Sequence, residues 1–347
     1  MTRRPRRGSH LSTVLPLFDV IIIGAGPTGL SCAVECKKIG LNALTIEKGS
    51  LTNSIYHFPS NMIFFTTSDL LEIGEIPFST TNPKPTREEG LNYYKRVVQH
   101  YQLDIHTHKK VVAVNKNNNV FTVQTRTQNG DSHEYRSRFV IVATGYFDHP
   151  TMLNIPGESL PKVSHYYSDP HPFYNKDILI VGGKNSACIA ALELYRYGAR
   201  VTMVHRRPEI KESVKYWILP DILNRIKEGA IKIHLDSIVT NITERSVIIE
   251  NISSKETTEM ANDFVFALTG YHPDTALLKA CEISVDSVSL VPEHKPDTLE
   301  TNVEGLFVAG SISAGINTNK LFIENGRFHG KVIAEEISRR STGIIPP

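Results

Sequence analysis

The feature that most constrains this chain is a pattern that occurs twice. The first copy runs from Phe18 to Lys48 and the second from Lys176 to Arg207. Each copy has a short β-branched apolar run, a glycine turn, an amphipathic stretch, a glycine break and a second apolar run. That order predicts a strand, a tight turn, a helix and a parallel strand, which is the unit of nucleotide-binding α/β sheets. Two copies therefore predict two such sheets.

Further sequence similarities within the chain indicate how the two units are connected. The segment 139–150 resembles the segment 263–274, because both contain an apolar strand followed by Thr-Gly, an aromatic residue and a proline. The segment 301–313 holds one more apolar strand, which ends at Gly310 and would complete the first sheet. Proline-rich stretches at 149–161 and 290–300 mark the predicted boundaries between the two units.

These observations predict an α/β fold with two Rossmann-like domains, the second inserted in the first, each with a small antiparallel β insertion. The 347 residues suffice for two domains. We assign residues 17–150 and 293–347 to the first domain and 151–292 to the second. The seams near 150 and 292 are the predicted hinges, and the basic arm 1–16 is expected to be disordered.

The first glycine turn reads Gly24-Ala25-Gly26-Pro27-Thr28-Gly29 and follows the apolar run directly. In G-x-G-x-x-G the first glycine makes the turn, the second lets a pyrophosphate approach, and the third packs helix against strand. The N-terminus of the helix then attracts the phosphates. Glu47 ends the second strand, where an acid holds ribose hydroxyls. The sequence therefore predicts a dinucleotide site here.

The second turn reads Gly182-Gly183-Lys184-Asn185-Ser186-Ala187, with alanine in the third glycine position. His205, Arg206 and Arg207 occupy its acid position. A carboxylate there would repel a 2′-phosphate, whereas guanidinium groups bind it in a bidentate manner. This site is therefore predicted to prefer NADPH to NADH.

Composition excludes several other classes of protein. The net charge of +2 and the absence of a basic aromatic stripe argue against nucleic-acid binding, and no apolar run is long enough to suggest a membrane span. The cysteines Cys32, Cys36, Cys188 and Cys281 form no Cys-x-x-Cys pair and have no zinc-ligand spacing, so no metal site is predicted. We interpret them as small core residues of a cytoplasmic protein.

The order of first turn, Ala-Thr-Gly, second turn, His-Arg-Arg and terminal Gly-Leu-Phe-Val-Ala-Gly resembles the thioredoxin-reductase-like flavoproteins over about residues 17–340. The resemblance implies that FAD occupies the first site and NADPH the second, and that hydride passes from nicotinamide to flavin and then to an acceptor, often with a domain rotation. In thioredoxin reductases a redox Cys-x-x-Cys precedes the second turn. The matching stretch 163–168 has no cysteine.

Four further segments, 53–56, 64–74, 215–221 and 323–330, resemble the bacillithiol disulfide reductase family. Those NADPH-dependent FAD enzymes also lack the Cys-x-x-Cys, and they are implied to reduce a low-molecular-weight disulfide. Members often carry a cysteine in the first glycine turn, and Thr28 stands there in this chain. Thr28 cannot form a mixed disulfide with a substrate, and no catalytic side chain is assigned.

The resemblance and the motifs together imply two sets of cofactor residues. The FAD residues are Gly24, Ala25, Gly26, Pro27, Thr28, Gly29, Glu47, Lys48, Tyr56, Thr66, Thr144, Gly145, Gly310 and Ser311. The NADPH residues are Gly182, Gly183, Lys184, Asn185, Ser186, His205, Arg206, Arg207 and Gly270. The chain is expected to form a homo-oligomer, namely a dimer.

Three alternatives remain open at this point. The first is electron transfer to a small redox protein, as in ferredoxin/flavodoxin–NADP reductases, which also lack the cysteine pair. The second is a flavin monooxygenase, although the fingerprint Phe-x-Gly-x-x-x-His keeps only His165 here, with Leu160 and Lys162 at the other positions. The third is a nucleotide-bound redox sensor, and no residue in the sequence specifically supports it.

Overall fold

The computed structural model describes residues 15–210, 214–317 and 320–341. The predicted N-terminal arm lies outside the described residues except for Leu15 and Pro16. The first half of the chain forms β1 Leu17–Ile23, α1 Pro27–Lys38, β2 Ala43–Ile46, α2 Asn53–Tyr56, α3 Arg87–Tyr101, β3 Asp104–His106, β4 Lys109–Asn117, β5 Val120–Thr127 and β6 Ser132–Val142.

The second half begins with an edge strand and ends with a long helix. Its elements are β7 Val163–Ser164, β8 Asp177–Val181, α4 Asn185–Arg196, β9 Arg200–Val204, α5 Leu219–Lys227, β10 Lys232–His234, β11 Ser237–Ile242, β12 Ser246–Asn251, β13 Thr257–Ala261, β14 Phe264–Ala267, α6 Thr275–Ala280, β15 Leu306–Val308, α7 Ile323–Gly326 and α8 His329–Ser341. Short 3-10 helices cover Ser68–Leu71, His171–Phe173 and Gly310–Ala314.

The first sheet combines parallel and antiparallel strands. Its strand order is β3-β2-β1-β6-β5-β4, with β15 beside the end of β6. The long strand β6 runs parallel to β1 and β15 in its second half and antiparallel to β5 in its first half. The predicted hairpin is therefore an extension of this sheet, and Asn118 and Asn119 form its turn with positive φ. The pairing of β15 with β6 shows that the chain returns to its first sheet.

The second sheet is entirely parallel, with the order β10-β9-β8-β14-β7. Its antiparallel insertion forms a separate sheet of three strands, β11-β12-β13. Both features agree with the predicted α/β architecture, because the apolar runs of β8 and β14 are buried on both faces as parallel strands require. No helix in the described part of the chain is long and apolar enough to cross a membrane.

In the structure the chain returns from the second unit to the first before the predicted 292/293 boundary. Leu277, Leu278, Cys281 and Ile283 pack in one core cluster with strands of the first sheet, such as Ile21. The segment that contains α6 therefore belongs to the first unit. Cys281, which the sequence placed near the end of the second domain, lies in the first core. The proline-rich stretch 290–300 ends within the core of the first unit, because Leu299 packs in one cluster with Val20 and Ile22.

Two adjacent connections join the units instead. Pro150 forms an antiparallel bridge with Tyr271, and Thr151 donates its N–H to the carbonyl of Gly270 at 2.8 Å. His272 donates its N–H to His149 at 2.9 Å on the other side of this bridge. The two crossings, near 150 and near 270, therefore run side by side.

Helix α8 is held to the first unit by a buried charge cluster. The Glu300 carboxylate is almost fully buried and accepts hydrogen bonds from Arg340, with Nη2 to Oε2 at 2.9 Å, from Lys295 and from the N–H of Gly305. Burial alone would raise the pKa of Glu300, but these donors outweigh it and lower the pKa to about 2. The ionised form of Glu300 therefore stabilises the folded chain.

We expect Arg340→Met to lower the stability at neutral pH by about 3 kcal/mol, because it leaves a buried carboxylate without its main partner. The contribution of Glu300 is fully present above its unfolded pKa of about 4.3 and is lost as the pH falls toward the folded value. Urea midpoints at pH 7 and pH 3 should therefore differ more in the wild type than in the variant. Arg196→Met, which breaks an exposed pair with Asp221, is the control with a small expected effect. An equal loss at both pH values would contradict this account.

Candidate functional site

The first glycine turn is shaped by two close backbone approaches. Gly24 has a φ of +107°, and a Cβ atom there would lie 2.6 Å from the carbonyl oxygen of Ala143, the residue after β6. A Cβ atom on Gly29 would lie 1.9 Å from the carbonyl oxygen of Gly24. The turn therefore needs glycine at both positions in order to keep α1 close to the sheet.

Gly26 has a different reason to be glycine. It is the N-cap of α1, its backbone is extended with φ −74° and ψ 174°, and Pro27 follows at the first helical position. A Cβ atom on Gly26 would meet nothing within 4 Å. The space above the N-terminus of α1 is thus open, with free N–H groups and the positive end of the helix dipole directed into it. This space fits a diphosphate.

Glu47 is buried and braces the turn. One carboxylate oxygen accepts the N–H of Ala25 and the other accepts the N–H of Gly49, both at 2.8 Å. Burial raises the pKa of Glu47, while the two amide hydrogen bonds oppose that rise. Each oxygen keeps a lone pair for a further donor such as a ribose hydroxyl. The prediction that this acid belongs to the first nucleotide site is consistent with its position.

Thr28 lies where three separate segments meet. A Cβ atom on Gly310 would lie 2.8 Å from Oγ1 of Thr28, and one on Gly326 would lie 3.1 Å from the same atom. Gly310 also donates its N–H to Nδ1 of His329 at 3.1 Å. Thr28 therefore contacts the segment after β15 and helix α7. Its hydroxyl group lies close to the backbones of Gly310 and Gly326.

The end of β6 supplies polar groups on the other side of the turn. Thr144 has a buried hydroxyl oxygen with no hydrogen-bond partner among the described residues. A Cβ atom on Gly145 would lie 3.4 Å from Oγ of Ser311. A buried hydroxyl left without a partner is costly, so Thr144 has unused capacity to bond a ligand at this edge.

The remaining predicted residues of the first site lie at its rim. Lys48 forms an ion pair with Asp148 at 2.8 Å. Tyr56 is half exposed beneath the guanidinium of Arg87, at 5.4 Å from its ring centre. Thr66 is half-buried, in the loop that follows Phe65. The structure brings the turn together with Glu47, Thr144 and Gly310.

The second turn also requires glycine because of close backbone approaches. Gly182 has a φ of +145°, and its Cβ atom would lie 2.6 Å from the carbonyl oxygen of Leu268 and 3.1 Å from Cβ of Ala187. Alanine at the third position thus fits because its methyl group just reaches Gly182. The Asn185 carboxamide accepts the N–H of Lys215 at 2.8 Å and ties the start of α4 to the segment before α5. The exposed Lys184 and Ser186 flank it.

The predicted phosphate-binding cluster stands at the end of β9 beside this turn. The His205 ring lies against Gly183, since a Cβ atom there would be 2.5 Å from Nδ1 of His205. Burial, followed by Arg206 and Arg207, lowers the pKa of His205 and so favours the neutral form of the ring. Arg206 and Arg207 are exposed, and no ion pair with a described carboxylate neutralises them. Gly270 faces open space at the end of β14.

The four cysteines are confirmed as core residues. All have free thiols, and each is at most 2% exposed. Burial raises the pKa of the Cys36, Cys188 and Cys281 thiols to about 12 and raises that of Cys32 as well. Reactive cysteines have lowered pKa values and accessible sulfur atoms. None of these thiols is suited to exchange with a disulfide.

Sequence reasoning missed the aromatic seam between the units. Tyr271 lies between Tyr146 and Tyr166 with near-parallel rings, at centroid distances of 6.3 and 5.9 Å. Phe147 packs against Tyr166 and Tyr271 in the same cluster. The aromatic residue after each Thr-Gly is visible in the sequence. Only the tertiary fold brings the two similar segments together, so that their aromatic rings pack against each other.

His165, the one match to the monooxygenase fingerprint, lies beside this seam. Its Nε2 is 3.2 Å from a carboxylate oxygen of Glu158, and both side chains are nearly buried. Glu158 also accepts the N–H groups of Leu153 and Asn154. Neither ring nitrogen of His165 has a hydrogen-bond partner among the described residues, so Glu158 provides proximity of charge only.

Comparison with known proteins places the chain in one family. The family described as "Pyridine nucleotide-disulphide oxidoreductase" matches residues 21–310. Bacilliredoxin reductase Bdr of Bacillus subtilis is 46% identical over 321 residues, which cover 92% of this chain and 97% of that protein. The bacillithiol disulfide reductase Bdr (YpdA) structure from Bacillus cereus has a TM-score of 0.91 at 43% identity and covers 94% of this chain and 100% of its own.

A more distant structure agrees in fold. Thioredoxin reductase from Lactococcus lactis has a TM-score of 0.75 at 22% identity and covers 94% of this chain and 100% of its own. The two-unit arrangement is thus the thioredoxin-reductase-like fold, and the use of a flavin and a pyridine nucleotide follows from the family. The chain belongs to the pyridine nucleotide-disulphide oxidoreductases and, within them, to the group of the Bdr reductases.

Proposed function

We propose that this protein is an NADPH-dependent FAD oxidoreductase that reduces a low-molecular-weight disulfide of the bacillithiol disulfide type. The observation that carries the proposal is the pair of non-equivalent glycine turns in one chain. One is braced by the buried Glu47, and the other lies beside Arg206 and Arg207. The names of the relatives with 46% and 43% identity support the disulfide substrate.

FAD is assigned to the first turn. The open space at Gly26 would receive the diphosphate, Glu47 would accept the ribose hydroxyl groups, and the unpartnered hydroxyl of Thr144 would bond the flavin side of the ligand. Gly310 and Ser311 would close the site from β15. Lys48, Tyr56 and Thr66 at the rim would contact its outer parts.

NADPH is assigned to the second turn. The N-terminus of α4, from Lys184 to Ser186, would receive the diphosphate. Arg206 and Arg207 would bind the 2′-phosphate, and the neutral His205 ring would pack beside Gly183. Gly270 leaves room for the nicotinamide end at the seam. FAD and NADPH together supply the hydride transfer, and the protein supplies binding and orientation.

Disulfide reduction in this chain would proceed without a protein thiol. The disulfide R–S–S–R takes up two electrons and two protons, the S–S bond breaks, and two thiols R–SH form. The electrons come from NADPH by way of the bound flavin. Thr28 replaces the cysteine common in the family and cannot form a mixed disulfide, and all four cysteines are buried.

A variant with Cys32, Cys36, Cys188 and Cys281 all changed to alanine is therefore expected to keep its turnover within about twofold, provided that it binds FAD. Cys32→Ser alone is the milder form of the test, since it conserves volume. Intact-mass analysis of the wild-type enzyme, quenched with a maleimide during turnover, should reveal no adduct of protein and substrate thiol. A trapped mixed disulfide, or loss of activity with FAD still bound, would contradict the thiol-free route.

The proposal is tested by an anaerobic panel of electron acceptors. Holoenzyme and NADPH are offered bacillithiol disulfide, other small disulfides, flavodoxin, ferredoxin and oxygen. We expect bacillithiol disulfide to give the highest rate. A rate highest with flavodoxin or ferredoxin would favour electron transfer to a protein, and oxygen consumption with substrate hydroxylation would favour a monooxygenase. Slow turnover with all of them would favour a redox sensor.

Three wider assignments accompany this function. We propose that the first domain comprises residues up to 150 and those after about 270, with the NADPH domain between them. Four free, buried thiols fit a reducing compartment, so we place the protein in the cytoplasm. A homodimer remains our prediction for its oligomeric state, and sedimentation analysis would test it.

A further inference from the structure

The seam between the two units carries an aromatic and cationic cluster outside both glycine turns. Trp217, from the segment before α5, packs against Phe65 of the first unit with ring centroids 6.0 Å apart. Nζ of Lys84 lies 3.9 Å from the centroid of Trp217. Nζ of Lys215 lies 5.7 Å from Trp217 and 5.8 Å from Phe65. We call these four residues the seam cluster.

The positive charges of the seam cluster are not neutralised within the described chain. Neither Lys84 nor Lys215 forms an ion pair with a described carboxylate. Arg87, three residues from Lys84, bonds only the carbonyl oxygens of Ile55 and Tyr56, which leave its charge uncompensated. Cation–π contacts keep the ammonium groups in place but do not cancel their charge. The seam cluster thus presents two ammonium groups against the rings of Trp217 and Phe65, with Arg87 nearby in the sequence.

The chain that carries the seam cluster continues toward the segment that Arg327 contacts, close in sequence to Gly326 beside Thr28. Phe64 donates its N–H to Pro85, and Ile63 bridges Thr86, so the strand-like stretches around Phe65 and Lys84 run side by side. From Phe65 the chain passes Thr66 and reaches the 3-10 helix at Ser68–Leu71. Arg327 bonds the carbonyl oxygens of Asp69 and Glu72 there, next to the Thr28 junction.

We propose that the seam cluster binds the carboxylate groups of the disulfide substrate, so that the preferred acceptor is an anionic low-molecular-weight disulfide. This inference rests on the proposed function and specifies the chemistry of its substrate. Ammonium groups attract carboxylates, and the exposed faces of Trp217 and Tyr216 offer apolar surface for the remainder of a small molecule. Two ammonium groups held on one pair of aromatic rings match the charge of a small dianion.

Trp217 provides a direct reporter, because it is the only tryptophan in the chain. Titration of the holoenzyme with bacillithiol disulfide, which carries carboxylates, should change its fluorescence in a saturable manner. Bis(2-hydroxyethyl) disulfide, which carries no charge, should give no such change. Because this readout needs no turnover, it tests the site even if the acceptor panel yields no disulfide reduction.

Lys84→Gln should weaken binding of the anionic disulfide about tenfold, whereas Lys84→Arg should restore it, because the charge and not the packing is required. Lys110→Gln on the exposed side of β4 is the matched control and should leave binding unchanged. The rate of flavin reduction by NADPH should be the same in all of them. Equal binding by wild type and Lys84→Gln would overturn the proposal. So would an effect on an acidic protein acceptor alone, which would assign the cluster to protein docking.

Discussion

Gly26→Ala is expected to abolish tight FAD binding while leaving the apoprotein folded. The backbone at Gly26 is ordinary for any residue, and an alanine methyl group would meet no protein atom within 4 Å. The methyl group would instead occupy the space assigned to the diphosphate. We expect the dissociation constant for FAD to rise at least about 100-fold, equivalent to about 2.7 kcal/mol. Calorimetric or flavin-fluorescence titration of the apoprotein measures it.

Gly29→Ala supplies the contrasting control within the same turn. Its methyl group would lie 1.9 Å from the carbonyl oxygen of Gly24, so the helix must shift and the fold itself must suffer. A lowered melting temperature of the apoprotein is therefore expected for Gly29→Ala and not for Gly26→Ala. Unchanged FAD affinity in a folded Gly26→Ala protein would remove the diphosphate from this turn.

Replacing Arg206 and Arg207 together with alanine should convert the preference for NADPH into indifference between the two nicotinamide cofactors. Each guanidinium–phosphate hydrogen bond contributes about 1.5–3 kcal/mol, so kcat/KM for NADPH should fall at least about 100-fold. For NADH, which has no 2′-phosphate, the change should stay within about threefold. Steady-state kinetics with both cofactors measure the two ratios.

Arg245→Ala is the matched control, because Arg245 is another exposed arginine of the second unit, on the turn before β12. It should leave both cofactors unaffected. If the double variant loses NADPH and NADH activity equally, the two arginines act on the shared part of the nucleotide or on the fold, and the 2′-phosphate role is refuted.

The local parts of this molecule were predictable from the sequence because their signals are local. A glycine turn between a β-branched run and an amphipathic run needs no distant partner, so both sheets and the pairing of β15 with the first of them followed from the pattern. The buried positions of Cys32 and Cys36 on α1 followed for the same reason.

The parts that failed or were missed depend on long-range packing. Leu277 and Ile283 are apolar whichever sheet they cover, so nothing in their own neighbourhood revealed that they return to the first core. The contact of Thr28 with Gly310 and Gly326, and that of Trp217 with Phe65, joins residues far apart in the chain. Nothing in a single sequence indicates which distant residues will come into contact.

The central claim is that electrons from NADPH pass through bound flavin to a small disulfide. The most direct measurement is anaerobic stopped-flow mixing of NADPH-reduced holoenzyme with bacillithiol disulfide. The flavin absorbance should return to the oxidised level, with two thiols formed for each NADPH consumed and no substrate thiol attached to the protein. A flavin that stays reduced with the disulfide yet is rapidly oxidised by flavodoxin or ferredoxin would contradict the account.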